Sequence, residues 1–69
     1  MLTSTEIALV ILAARDNAFI HNQRDGQSFF NILSSTHPEE ATMLNGIPNI
    51  DPFYDDDFLA AAIKTIYKY

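Results

Sequence analysis

Cysteine and tryptophan are absent from this chain, glycine occurs twice, and four basic residues stand against nine acidic ones. Without cysteine there are no disulfides and no thiolate metal sites. A chain of 69 residues therefore lacks the disulfides and thiolate-bound metals that commonly reinforce a small domain, which points to oligomerisation as its reinforcement. Two glycines are too few for a phosphate-cradling loop, and Arg24-Asp25-Gly26-Gln27 does not match one. The shortage of bases speaks against direct binding to nucleic acid, which runs on phosphate neutralisation. A net charge of −5 still suits a basic partner, including a nucleic-acid-binding protein. No apolar run approaches the roughly 20 residues that cross a bilayer, and Glu6 stands where a signal peptide would be basic. The expectation is a cytoplasmic protein with no membrane contact.

What is present begins with Ile7-Ala8-Leu9-Val10-Ile11-Leu12-Ala13-Ala14, an unbroken apolar run. At about 100° per residue these side chains point around the whole circumference of a helix rather than along one stripe. A small domain has little interior to surround such a helix. The first helix is thus expected to be either fully central or shared with another chain, with Leu9, Val10, Leu12 and Ala13 as the seam of a homodimer. Thr3-Ser4-Thr5-Glu6 fits a capping box, and Leu2 and Ile7 fall at the positions of a hydrophobic staple. The helix should run from about residue 4 to about residue 20, with Asn17 and Asn22 both plausible stops.

A second helix is predicted over residues 26–35, burying Phe29, Phe30, Ile32 and Leu33. Pro38 suits the first turn of a third helix over 38–45, with His37 as N-cap, Glu39 and Glu40 at the positive end, and Gly46 closing it. Residues 46–54 carry two prolines and read as an extended segment anchored by Ile47, Ile50, Phe53 and Tyr54. Asp55-Asp56-Asp57 opens a fourth helix to about residue 67, with Phe58, Leu59, Ala62, Ile63 and Ile66 as its stripe and Lys64 and Lys68 near its negative end. No repeat and no strand-like alternation occurs. Residues 1–69 are expected to form a single all-α domain, a small bundle of four short helices that pairs through the first.

Chemistry-bearing patterns are sparse. Asp51, Asp55, Asp56 and Asp57 form the densest polar feature, but Pro52, Phe53 and Tyr54 occupy the interval that a calcium loop fills with alternating oxygen ligands and a glycine. Charging of a helix start accounts for three of the four. His21 and His37 lie in different connections without a third ligand or an HExxH spacing. No G-x-S-x-G elbow surrounds any serine, and Ser28, Ser34 and Ser35 read as helix-end residues. Catalysis, a cofactor and a metal are not expected. Tyrosine combines contact area with a polar tip, so Tyr54, beside the aspartates, is the tyrosine best placed for recognition. The candidate partner surface is Tyr54, Asp55, Asp56 and Asp57.

Arg24-Asp25-Gly26-Gln27, followed by Phe29, Phe30, Asn31 and Leu33, resembles the R-x-G-Q-x-x-x-N-x-L stretch of small helical bacterial and prophage proteins. Asp51-Pro52-Phe53-Tyr54-Asp55-Asp56, followed by Leu59, resembles a later D-x-F-Y-x-x-D/E-x-L segment of the same proteins. The resemblance covers residues 24–59. It implies that Gly26 and Gln27 begin the second helix, that Arg24 reaches a nearby carboxylate or carbonyl, and that residues 51–54 cross back to the last helix. It also implies an accessory protein of a phage or mobile element, in which case the compartment is the host cytoplasm.

Three functions follow as expectations. The first is a non-enzymatic homodimer that binds and modulates, by inhibition, a host or phage regulatory or defence protein with a basic surface. The second is an acidic decoy that blocks the nucleic-acid groove of a nuclease, repressor or CRISPR-type complex. The third is a structural subunit of a larger assembly.

Overall fold

The computed structural model describes all 69 residues. Four α-helices follow one another, α1 (Ser4–His21), α2 (Asp25–Thr36), α3 (Pro38–Leu44) and α4 (Leu59–Ile66), and no strand forms. A single 3-10 turn, Asp56–Phe58, leads into α4. The molecule is all-α, as the sequence indicates. Its accessible surface of 4405 Å² is close to the roughly 4,400 Å² expected of a folded monomer of 7.8 kDa.

The start of α1 is the capping box read from the sequence. The Glu6 N–H donates to Thr3 Oγ1 at 3.2 Å and the Thr3 N–H donates to Glu6 Oε1 at 3.0 Å. Both staple residues, Leu2 and Ile7, lie in the core. The two orphan donors are satisfied reciprocally, so the helix starts cleanly. Its end is set by Asn22, which adopts φ 53° and returns its N–H to the Ala18 carbonyl. Asparagine accepts that left-handed conformation more readily than most residues. Asn17 does not stop the helix. It sits within α1 and points its amide at α2.

The centre of the fold is α2, which packs on α1, on α3 and on the 3-10 turn, while α4 lies on α3. Leu33, Leu44, Ala62 and Ile66 are fully buried where these elements meet, with Phe29, Val10, Ile7 and Ala14 around them. His37 ends α2 and precedes α3, with Pro38 in the first turn, but its ring makes no capping bond. The chain ends are tied together. The Leu2 N–H donates to the Ile66 carbonyl at 2.7 Å and the Lys68 N–H to the Leu2 carbonyl at 2.8 Å, so Tyr67 leaves α4 extended beside Leu2.

The structure decides three points. First, of the two alternatives for α1, fully central or shared, the central one falls: Ile7, Val10, Ala14 and Ala18 face inward at i, i+3, i+4 spacing, while Leu9 and Leu12 face solvent. Second, residues 46–54 are a chain of turns rather than an extended segment. Asp51 holds them together, accepting from the Gly46 N–H at 2.7 Å and the Phe53 N–H at 3.0 Å. Ile47 and Tyr54 are exposed there, and Pro52 is buried. Third, the last helix is shorter than 55–67, because Asp55–Phe58 form the cap and the 3-10 turn.

Candidate functional site: the outward face of α1 and the acidic turn

The acidic turn is first a piece of structure. Asp55 caps the 3-10 turn, accepting from the Asp57 N–H at 2.9 Å. Asp56 reaches back to α2: its Oδ1 accepts from the Gly26 N–H at 2.8 Å and from Arg24 Nη1 at 3.1 Å. The second guanidinium nitrogen of Arg24 donates to the Phe53 carbonyl. Arg24 thus holds a carboxylate and a carbonyl together. The approach is close enough that a Cβ on Gly26 would lie 2.2 Å from the Pro52 carbonyl oxygen. Glycine is required there by contact, not by backbone angle.

Of the four residues expected to meet a partner, two are therefore committed to the fold. Asp55 and Asp56 fix the turn on α2, whereas Tyr54 and Asp57 face solvent with no hydrogen bond of their own side chains to the rest of the chain. The Tyr54 ring packs edge-on against Phe53, centroids 5.4 Å apart, and Phe53 meets Phe30 in the same way at 5.9 Å.

The set expected to form a dimer seam divides as well. Leu9, Leu12 and Ala13 are exposed, but Val10 is 3% exposed and belongs to the chain's own core. The reason is periodicity, since Val10 stands three residues from Ile7 and four from Ala14 on one face. The outward face gains Phe19 and Ile20 instead, which are 90% and 72% exposed, beside Leu9 at 61% and Leu12 at 57%. The apolar run ends at Ala14 and does not disclose them, but the helical projection continued past Arg15-Asp16-Asn17 brings both residues onto the face of Leu9 and Leu12.

Between α1 and α4 runs a groove of about 520 Å³, walled by Ile11, Ala18, Leu59 and Ile63 with Phe29 at its floor. Phe19 stands on its edge, and Arg15, Gln23 and Asp25 supply the polar rim. The α1–α2 contact itself holds a polar network that the sequence did not disclose. Asn17 Nδ2 donates to Ser28 Oγ at 2.8 Å and to Gln23 Oε1 at 2.9 Å, and Ser28 Oγ donates to the Ala14 carbonyl at 2.6 Å. Ser28 is thus a buried cross-link and not a helix-end residue.

No buried side-chain nitrogen or oxygen lacks a hydrogen-bond partner, and no three His, Asp or Glu side chains gather in a metal-binding arrangement. His21 ends α1 in solvent and His37 lies half-buried between α2 and α3. No helix is long and apolar enough to cross a membrane. Comparison with protein-family models, with curated proteins and with solved structures finds no match to this chain.

Proposed function

We propose that this chain is a non-enzymatic binding protein that acts by occupying another protein, with the outward face of α1 as its principal contact. One observation carries the reading: Leu9, Leu12, Phe19 and Ile20 stand exposed together on one rigid helix. From residue sizes and these exposures, the four present roughly 500 Å² of apolar surface, more than half of the ~800 Å² that one partner gives to a standard interface. A patch of this size is at the upper end of what a monomer ordinarily exposes, and the largest patch of a monomer is often its functional one. Tyr54 and Asp57 supply a smaller accessory contact beside the acidic turn. The likeness to prophage accessory proteins favours a host regulatory or defence protein as the target, and inhibition by occupancy as the effect.

Self-association through Leu9, Leu12 and Ala13 is the second reading, favoured by the same apolar area. An acidic decoy draws less support, because Asp51, Asp55 and Asp56 are spent on turns and caps. The test is affinity capture of the wild-type chain and of Leu12→Glu/Phe19→Glu, each candidate being confirmed by reciprocal capture. Light scattering over a concentration series runs beside it. A partner held by the wild type and lost by the double variant is the expected result. A partner retained by the double variant moves the contact elsewhere, and a dimer that the double variant dissolves establishes the second reading.

A further inference from the structure

The outward face of α1 is not uniformly apolar. Projected at about 100° per residue, Leu9, Leu12, Phe19 and Ile20 fall within one arc of about 100°, and Asp16 falls at its middle. Asp16 is exposed and makes neither an ion pair nor a hydrogen bond through its side chain. Of the four bases, Arg24 is held by Asp56, and none of Arg15, Lys64 and Lys68 forms an ion pair with Asp16. A carboxylate in the centre of a patch that becomes covered loses its water, and an opposite charge placed against it is the partner that offsets the loss best.

That requirement selects the occupant. The apolar stripe runs from residue 9 to residue 20, so a two-fold pairing of α1 with a second copy has its centre near residues 14 and 15. The two Asp16 carboxylates would then stand within about one helical turn (about 5 Å along the axis) of each other, on chains that each carry −5. Like charges directly opposed in an interface are a device against the wrong partner. A helix from another protein with Lys or Arg at that level makes the opposite arrangement. The stripe is about 17 Å long, the length of three helical turns.

We infer that the outward face of α1 receives an amphipathic helix of another protein that places a Lys or Arg opposite Asp16. This rests on the reading of α1 as a docking surface and specifies its partner by charge. Two helix-stabilised peptides of about 16 residues, with the same Leu/Ile face and either Lys or Glu at its centre, are titrated against the protein by fluorescence anisotropy. Wild type, Asp16→Asn and Asp16→Lys are compared, with circular dichroism as the check of folding. The Lys peptide is expected to bind wild type about tenfold or more tighter than the Glu peptide, the preference disappearing in Asp16→Asn and inverting in Asp16→Lys. Equal binding of both peptides to wild type overturns the inference and leaves the docking surface standing. Binding of neither by a monomeric protein overturns both. A wild-type dimer that excludes both peptides and dissolves in Leu12→Glu makes the second copy the occupant and overturns the inference.

Discussion

At the residue scale, two positions do more than their types suggest. Gly26 is a close-approach glycine inside a helix, and its nearest obstacle is backbone, the Pro52 carbonyl, which cannot swing aside as a side chain would. Gly26→Ala is therefore expected to destabilise the protein by about 1–3 kcal/mol through overpacking, read as a fall in the urea midpoint, although alanine is the better helix former. Gly46→Ala, where nothing lies within 4 Å but φ is +73°, should cost only the left-handed penalty of about 1–2 kcal/mol. Glu40 is the second position. The terminal ammonium of Met1 donates to its Oε2 at 2.6 Å, and this hydrogen bond holds the carboxyl below its ordinary value of 4.5. Glu6 is lowered in the same direction by its hydrogen bond from the Thr3 N–H. With the folded value below the unfolded one, the unfolded chain binds more protons on acidification, so the stabilisation is present above about 4.5 and is lost as pH falls through the folded value. Thermal melts from pH 6 to pH 3 should show this loss in wild type and a shallower one in Glu40→Gln. An equal slope in both would place the acid sensitivity elsewhere.

At the scale of elements, α1 carries two faces that its composition does not separate. Val10 and Leu12 are both aliphatic and stand two residues apart, yet one is in the core and the other in solvent. Val10→Ala should cost about 1–3 kcal/mol through the lost burial and the cavity left behind, whereas Leu12→Ala should stay within about 0.5 kcal/mol. Chemical denaturation of the two variants checks the assignment, and similar losses would mean that Leu12 is covered. The start of α1 was legible because a capping box is a local pattern of residue types. Its inward face was not, because eight consecutive apolar residues leave the helix without a polar back to orient it. The acidic run was half legible. Carboxylates at a helix start follow from electrostatics, but that Asp56 would turn to Gly26 and Arg24 across 30 and 32 residues depends on where α2 lies.

At the scale of the whole molecule, the two chain ends close on each other through Leu2, Ile66 and Lys68. Removing Lys68 and Tyr69 deletes the Lys68 N–H donor to Leu2 and parts the Tyr67–Tyr69 ring pair, whose centroids are 4.9 Å apart. The truncated chain is expected to be less stable by about 0.5–1.5 kcal/mol, lowering its melting temperature while leaving the far-ultraviolet dichroism helical. An unchanged melting temperature would show that the closure of the ends contributes nothing. The molecule exposes the surface of a monomer of its mass, and four of its nine exposed large hydrophobic side chains, Leu9, Leu12, Phe19 and Ile20, stand on one side of α1.

The sequence by itself determined the helical class, the order of the four helices and the capping of the first, because propensity, caps and breakers act over a few residues. The tertiary structure decided which side of α1 is inside, which aspartates are bound in turns and which are free, and that Ser28 and Asn17 lock α1 to α2. Those outcomes depend on which elements meet, and a uniformly apolar helix places no constraint on that choice until its neighbours cover one face.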